Sequence, residues 1–196
     1  MSEAFLERWL EDAIATPGMT GFRDMESARP VLLDDALRAR VIVERFAGRV
    51  IDVGSGGGSP GIPLAAALPL SSFTLLEADR RKCDFLERTT AALTNVDVVW
   101  GRAEEQPLDA FGVVLAKALA KPPVAVELCL PLVEPGGAAV LWVGPTADRE
   151  SVARVAELLG GQLDTDDEGL VVLRKLTATP PGFPRRSGMA KKRPLS

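Results

Sequence analysis

The chain has 196 residues, of which 46% are hydrophobic, enough for one domain with a full core but too few for two comfortable ones. Its two cysteines, Cys83 and Cys129, lie far apart and lack the spacing of a zinc site, so we expect no metal, no disulfide and a reducing, cytoplasmic setting. The first residues, MSEAFLERWLEDA, carry acids where a signal peptide carries positive charge, and no apolar run reaches the roughly 20 residues of a membrane span. We therefore expect an unexported protein without membrane contact.

The net charge of −4 is distributed unevenly along the chain. Seven of the 23 basic residues and no acid lie between Arg174 and Ser196, which leaves 16 basic against 27 acidic residues before them. The body therefore carries a charge of about −11 and the end of the chain about +7. Since a basic tail offers phosphate contacts with counterion release, nucleic acid is a candidate partner. A solvated terminal charge run gives the same pattern.

The first part of the chain is predicted to be a helical cap over residues 1–47. Apolar residues recur at helical spacing from Phe5 through Trp9 to Ile14, and a second helix is predicted over Val31 to Phe46. The segment between them, TPGMTGFRDMESARP, is rich in turn-forming residues and is read as a loop.

Beyond the cap, short apolar runs alternate with helical patterns, which indicates an α/β domain with a mostly parallel sheet. Predicted strands cover 49–53, 73–77, 96–100, 111–116, 138–143, 162–164 and 170–176, and predicted helices cover 61–68, 80–93, 123–132 and 147–159. The segment DTDDEG between the last two strands suits a hairpin, so the terminal strand is expected to be antiparallel. We predict a single domain in which a Rossmann-like, seven-stranded core over 48–176 precedes a basic tail over 177–196.

A glycine-rich loop follows the first predicted strand in the sequence VIDVGSGGGSPGI. An apolar strand, a glycine loop and a helix in this order are typical of nucleotide-like cofactor sites in α/β folds. Gly54, Gly56 and Gly58 form a GxGxG pattern rather than the GxGxxG of dinucleotide folds, and the preceding Asp52 also favours S-adenosylmethionine, which has no pyrophosphate. Asp52 either stays near the cofactor's ammonium group or structures the loop through backbone amides.

Two further segments are expected at the same sheet edge, where the carboxyl ends of parallel strands meet a ligand. Glu77 ends the second strand 23 residues after Gly54, close to the spacing of an acid that accepts hydrogen bonds from ribose hydroxyls. The nearby Asp79 is predicted to cap the next helix instead. In the segment GRAEE, Ala103 leaves room for a flat base and the neighbouring amides can read its edge, although an ordinary loop with solvated acids has the same sequence.

Several segments together resemble the RsmG family, also called glucose-inhibited division protein B. They are VIDVGSGGGSPGIPLA, LLEADRRKCDFLE, GRAEE, PLVEPGG and FPRRSGMAKKRPL, which occur in the family's order over roughly residues 48–196. The resemblance implies a class I, S-adenosylmethionine-dependent methyltransferase that methylates guanine N7 in small-subunit (16S) ribosomal RNA. It also implies cofactor contacts at Gly54, Gly56, Gly58, Glu77, Ala103 and Glu104.

The chain departs from the family pattern in two places. It reads TPGMTGFRD and VLLDDAL where family members carry segments resembling NLT and HFLDS, and it contains no histidine. After the fourth strand it has Lys117 where the family has an arginine, which keeps the charge but loses the planar fork. Guanine N7 needs no general base because its lone pair is free, so catalysis can rest on alignment of the reacting atoms.

Basic residues supply the expected contacts with ribosomal RNA and the small subunit. Lys117, as a catalytic candidate acting by orientation and electrostatics, and Lys121 are expected to meet RNA phosphate or the guanine carbonyl. The stronger RNA candidates in the tail are Arg185, Arg186, Lys191, Lys192 and Arg193.

Other interpretations stay open at this level. A small-molecule methyltransferase shares the glycine loop but has no use for a basic tail, and an inactive, cofactor-binding ribosome-associated protein explains the missing arginine. An NAD-dependent reductase is the weakest alternative. Trp100 is expected in the core at a strand end rather than against the cofactor base, Phe183 either stacks on a base or anchors the tail, and the protein is expected to be a monomer.

Overall fold

A seven-stranded sheet in the order β3-β2-β1-β4-β5-β7-β6 forms the centre of the computed structural model, which describes residues 3–46 and 48–195. The strands are β1 (Arg49–Val53), β2 (Ser72–Glu77), β3 (Val96–Trp100), β4 (Phe111–Lys117), β5 (Val133–Trp142), β6 (Gly161–Asp167) and β7 (Leu170–Lys175). β7 runs antiparallel to both β5 and β6, and the other neighbours are parallel. The predicted α/β class, the seven strands and the antiparallel terminal strand are confirmed.

The central strands are buried on both faces, which explains their continuous apolar sequences. In β1 the side chains of Val50 and Ile51 belong to two different apolar clusters, because successive side chains of a strand point to opposite faces. β4 is buried from Phe111 to Ala116. The sheet therefore separates two cores, and its strand ends are free to build a site.

The helices are α1 (Glu3–Ala15), α2 (Met25–Arg29), α3 (Asp35–Leu37), α4 (Arg40–Arg45), α5 (Gly61–Ala67), α6 (Arg80–Thr90), α7 (Pro122–Cys129), α8 (Arg149–Leu158) and α9 (Met189–Lys192). The helix predicted over 31–46 is instead broken into a π-helical turn at Pro30–Asp34 followed by α3 and α4. The widened turn closes with a hydrogen bond from the Asp35 amide to the Pro30 carbonyl. Within the described residues, no helix combines the length and apolarity needed to cross a membrane.

Two differences from the prediction have local causes. α2 lies in the segment read as a loop, and it begins at an N-cap whose signal was present: the Asp24 carboxylate accepts a 2.8 Å hydrogen bond from the Ser27 amide. β5 begins five residues earlier than predicted, at Val133, because pairing with β4 continues across the PGG segment through a register shift between Phe111 and Val113. Sheet pairing thus overrides a sequence that reads as a turn.

The helical cap packs onto the glycine loop. The Trp9 indole donates a 2.8 Å hydrogen bond to the Gly57 carbonyl, and the Ser59 hydroxyl donates a 2.7 Å hydrogen bond to the Leu32 carbonyl. The cap is therefore part of the structure around the loop. Residues 1–2 and 47, at the predicted limits of the cap, lie outside the described residues, as does residue 196 at the end of the tail.

The basic tail folds back onto the body of the protein. Its first anchor is Thr179, whose hydroxyl donates a 2.8 Å hydrogen bond to Asp109 Oδ1. The buried Lys175 ammonium lies 3.4 Å from the same oxygen. Further along, Ala190 is buried in the apolar cluster beneath α7, while Phe183 packs against that cluster. Of the two roles considered for Phe183, the packing supports the anchoring of the tail.

Candidate functional site

A cavity of about 570 Å³ opens at the carboxyl ends of β1, β2 and β4, where the fold predicts a ligand. This volume lies within the range of sites that hold small molecules and cofactors. The predicted site residues that line it are Gly54, Gly56, Glu77, Ala103, Glu104, Lys117 and Lys191. The sheet edge therefore brings together residues that are up to 137 positions apart in the chain.

The glycine loop lines the cavity with backbone. Gly54 and Gly56 have φ angles of +73° and +57°, in the left-handed region that side chains disfavour. A Cβ atom at Gly56 would meet only the Gly54 carbonyl, at 3.8 Å, so the backbone there faces open space. Gly58, predicted as a cofactor contact, is not among the described residues around the cavity. A Cβ atom at Gly58 would lie 2.4 Å from Ile62 and 3.0 Å from the Trp9 indole, so the absence of a side chain here allows these two residues to pack closely against the loop.

Asp52 lies beneath the loop rather than in the cavity. It is fully buried, and its Oδ2 accepts a 3.1 Å hydrogen bond from the Gly61 amide at the start of α5. Burial raises the pKa of this carboxyl to about 7, against an opposing effect of the Gly61 hydrogen bond. Within the described part of the chain, Oδ1 has no hydrogen-bond partner. Of the two roles considered for Asp52, the burial and the hydrogen bond from Gly61 support the structuring of the loop.

Glu77 organises the loop and faces the cavity. Its Oε2 accepts a 2.9 Å hydrogen bond from the Gly56 amide, while Oε1 accepts from the amides of Ala78 and Asp79 at 2.8 and 2.9 Å. Because a carboxylate oxygen has two lone pairs, Oε2 retains one for a ligand hydroxyl. The predicted helix-capping role of Asp79 is also seen, since its carboxylate accepts from the Arg81 amide. A nearly buried carboxylate at the rim of an open cavity fits the vicinal diol of a ribose.

The turn after β3 joins the cavity to the tail. Ala103 is buried in the 3₁₀ turn Ala103–Glu105 and lines the cavity. Glu104 lines the cavity as well, and its Oε1 accepts a 3.0 Å hydrogen bond from the Gly188 amide. Gly188, Ala190 and Lys191 of the tail line the same cavity. The tail is thus a wall of this cavity.

Lys117 ends β4 between the cavity and the helical cap. Its side chain is 12% exposed, and its ammonium donates hydrogen bonds to the Val31 carbonyl and to Asp35 Oδ2. The same ammonium lies 5.6 Å from the centroid of the Trp142 ring. Lys121 is exposed at the start of α7 and is not among the described residues that line the cavity. The two lysines therefore have different surroundings.

The tail cations fall into two groups. Arg185 forms a bidentate ion pair with Glu127 of α7 at 2.5 Å, and the side chains of these two residues are 23% and 2% exposed. The hydrogen bond to Glu127 raises the pKa of the Arg185 guanidinium. In this structure the Arg185 guanidinium neutralises a buried carboxylate, and its contact with RNA stays a prediction. The remaining tail candidates are exposed: Arg186, Lys191, Lys192 and Arg193.

Trp100 lies at the surface, whereas both cysteines are buried. Trp100 was expected in the core, but 62% of it is exposed because β3 is an edge strand. Its indole donates a 3.0 Å hydrogen bond to the Ala78 carbonyl, and the Arg80 guanidinium lies 5.7 Å from its ring centroid. Cys83 and Cys129 are buried, and burial raises the pKa of both thiols. Both cysteines act as packing residues, as expected.

The helical cap contributes cavity residues that sequence reasoning missed. They are Trp9, Ala13, Met19, Thr20, Phe22, Val31 and Leu32. Helical spacing in the cap indicated an apolar face but not the surface it covers, so the sequence carried no signal for this contact. Among the described residues, no group of three or more His, Cys, Asp or Glu side chains is arranged to hold a metal ion.

Solved structures with a similar fold include methyltransferases. One is a SAM-dependent O-methyltransferase from Thermotoga maritima, which is 14% identical with a TM-score of 0.57 and is matched over 75% of this chain and 66% of that one. Another is a 16S rRNA N2 methyltransferase from T. thermophilus in complex with AdoMet and guanosine, which is 22% identical with a TM-score of 0.55, over 82% of this chain and 41% of that one. At these identities the likeness concerns the fold.

Sequence relatives are closer. The family model described as rRNA small subunit methyltransferase G matches residues 6–163. Proteins named ribosomal RNA small subunit methyltransferase G include one from Synechococcus elongatus, 34% identical over 85% of this chain and 73% of that protein, and one from Moorella thermoacetica, 32% identical over 90% and 82%. A third, from Rubrobacter xylanophilus, is 38% identical over 77% of this chain and 66% of that protein. The chain therefore belongs to the rRNA small subunit methyltransferase G family.

Proposed function

We propose that this protein transfers a methyl group from S-adenosylmethionine to N7 of a guanine in 16S ribosomal RNA. Family membership supports the reaction class and the RNA substrate. The cavity at the carboxyl ends of the strands supports the cofactor, since its volume and its lining fit a nucleoside-sized ligand. The proposal includes action as a monomer, because a single chain supplies the glycine loop, the carboxylate and the tail that surround the cavity. It also includes action in the cytoplasm, on the ground that the proposed substrate is ribosomal RNA.

Specific residues would hold the cofactor. Gly54 and Gly56 present backbone to it, the free lone pair of Glu77 Oε2 accepts from a ribose hydroxyl, and Ala103 leaves space for the base. When bound, S-adenosylmethionine supplies an electrophilic methyl group, whose carbon–sulfur bond breaks as a bond to guanine N7 forms and positive charge passes from sulfur to the base. The protein removes no proton in this reaction, so its task is to align the base and exclude water.

The observation that carries the RNA substrate is the position of the tail. Lys191 lines the cavity, and the exposed Arg186, Lys192 and Arg193 lie within five residues of it along the chain. Because the folded tail places cations beside the cavity, it favours a polyanionic substrate whose reacting base enters that cavity. A small-molecule substrate gives no reason for this concentration of charge.

The test incubates the protein with radiolabelled S-adenosylmethionine and either purified small subunits or naked 16S ribosomal RNA. Labelled RNA is then cleaved chemically at N7-methylguanosine to locate the modified nucleotide. We expect methylation of one guanosine in at least one of the two substrates. Tight cofactor binding without methylation of either substrate would overturn the proposal in favour of an inactive binding protein.

A charge-reversal pair separates an RNA substrate from a small molecule. Deletion of the tail is unsuitable because Ala190 is buried in the core and lines the cavity. Replacing the exposed Lys192 and Arg193 by glutamate keeps the tail residues that line the cavity. We expect the affinity for RNA to fall. The slope of log affinity against log salt concentration should become shallower by about one unit per lost phosphate contact. The matched control is Arg88→Glu, which changes an exposed cation in the last turn of α6 that is not among the described residues lining the cavity. Equal RNA affinity in the double variant and the control would remove the tail from the RNA site.

A further inference from the structure

A second cavity, of about 350 Å³, adjoins the cofactor cavity and shares Lys117 and Ala118 with it. It lies at the carboxyl ends of β4 and β5, which contribute Lys117 and Trp142, and Asp35 and Arg38 of the helical cap also line it. We propose that this cavity receives the target guanine and that Lys117 and Asp35 read its Watson–Crick edge. The inference rests on the proposed function, since it names the groups that would select guanine for that reaction.

The pair of Lys117 and Asp35 has unused hydrogen-bonding capacity. A lysine ammonium has three N–H groups, and the Val31 carbonyl and Asp35 Oδ2 accept two of them. Asp35 Oδ2 accepts this one bond and Oδ1 accepts a 3.0 Å bond from Arg38 Nη1, so each oxygen retains one lone pair. The pair can therefore present one donor beside two acceptors.

This sequence of donor, acceptor and acceptor complements guanine. The Watson–Crick edge of guanine presents the O6 acceptor beside the N1–H and N2–H donors, so an ammonium can meet O6 while a carboxylate meets N1–H and N2–H. Adenine presents a donor where guanine has O6 and an acceptor at N1. The ammonium would then face a donor and the carboxylate would face an acceptor, so neither hydrogen bond could form. N7 lies on the other edge of the base and remains free to react.

The surrounding residues hold the pair in place. The Trp142 indole donates a 3.2 Å hydrogen bond to the Asp35 carbonyl, and its half-buried ring supplies an aromatic surface for a base. Arg38 also donates a 2.8 Å hydrogen bond to the Asp167 carbonyl, which ties Asp35 to the β6–β7 turn. The reading groups are thus fixed to the sheet on one side and to the hairpin on the other.

The test changes the substrate first. The guanosine located by chemical cleavage is replaced by inosine, which lacks only the 2-amino group, and kcat/KM is compared for the two RNAs. We expect the native protein to prefer guanosine by about ten-fold, because one acceptor of Asp35 loses its donor. In the Asp35→Asn variant, guanosine methylation falls and the preference over inosine approaches one. The remaining ratio reports the intrinsic reactivity of N7 in the two bases.

The controls distinguish this inference from the proposed function. Asp34→Asn changes the neighbouring acid, whose side chain is 56% exposed, and should retain the ten-fold preference. S-adenosylmethionine affinity and melting temperature establish that each variant is folded. The preference is the ratio of the two kcat/KM values measured with one variant, so a general loss of activity does not change it. If the native protein methylates neither RNA, the proposed function fails. If it methylates guanosine and inosine equally, or if Asp35→Asn keeps the ten-fold preference, only the guanine-reading role of Asp35 is overturned.

Discussion

The backbone amide of Gly188 donates a 3.0 Å hydrogen bond to Glu104 Oε1. Glu104 belongs to the turn after β3 and Gly188 to the tail, and both line the cofactor cavity. A charged acceptor strengthens such a bond relative to a neutral one. Docking of the tail and completion of the cavity are therefore parts of one structural arrangement.

Replacing Glu104 by alanine should loosen the tail and weaken the binding of S-adenosylmethionine by about ten-fold, since a bond to a charged group is worth about 1.5–3 kcal/mol. Faster trypsin cleavage after Lys191 and a higher dissociation constant in calorimetry are the measurements. The Glu104→Gln variant retains a carbonyl acceptor, so its cleavage rate and its affinity should lie between those of the native protein and of Glu104→Ala. Unchanged cleavage and affinity in Glu104→Ala would show that the tail is held by its other contacts.

The ion pair between Arg185 and Glu127 predicts a different effect, on stability. Removing one member of a buried pair leaves an uncompensated charge, and we expect Arg185→Met to lower the free energy of unfolding by about 3 kcal/mol, at the low end for such pairs because Arg185 is 23% exposed. Urea unfolding measures this change. The double variant Glu127→Leu with Arg185→Met removes both charges and should recover most of the loss. If the single and double variants are equally destabilised, packing rather than charge explains the effect.

The buried Asp52 makes stability depend on pH. Its pKa in the folded protein is about 7 against an ordinary value of 3.8, so the folded state binds more protons than the unfolded state between these values. The corresponding stabilisation is complete below pH 4 and is lost as the pH rises through 7, a change of about 4 kcal/mol. We therefore expect the free energies of unfolding of the native protein and of Asp52→Asn to differ less at low pH than at pH 8. At pH 8 the variant gains stability relative to the native protein. A constant difference between the two proteins from pH 4 to pH 8 would contradict the raised pKa.

Glu77 should be essential to the cofactor site. In Glu77→Ala the amides of Gly56, Ala78 and Asp79 lose their acceptor, and the proposed hydrogen bond to a ribose hydroxyl cannot form. We therefore expect S-adenosylmethionine affinity to fall at least ten-fold. Calorimetric titration measures the affinity. Asp79→Ala is the control, because this exposed residue caps α6 and its loss should lower stability while leaving affinity near the native value. Native affinity in Glu77→Ala would remove Glu77 from the site.

Local patterns in the sequence predicted most of the fold. They also predicted the residues at the strand ends that line one side of the cavity. The apolar runs, the GxGxG spacing and the distance to Glu77 are short-range features, and a parallel sheet brings the ends of such strands to one edge. The same reasoning missed the break at Pro30–Asp34 and the early start of β5, because pairing and packing outweigh turn and helix propensity at those points.

The sequence by itself determined the α/β class, the glycine loop and the concentration of positive charge after Arg174. Only the tertiary structure decided which of those charges are available, since the neutralisation of Glu127 by Arg185 joins residues 58 positions apart. It also decided that Asp52 accepts a hydrogen bond beneath the loop and that the cap and the tail line the cavity. The hydrogen bond from Lys117 to Asp35 is likewise a tertiary contact. These outcomes depend on contacts between distant segments, whose partners are selected by burial and charge compensation in three dimensions and leave no periodic trace in the chain.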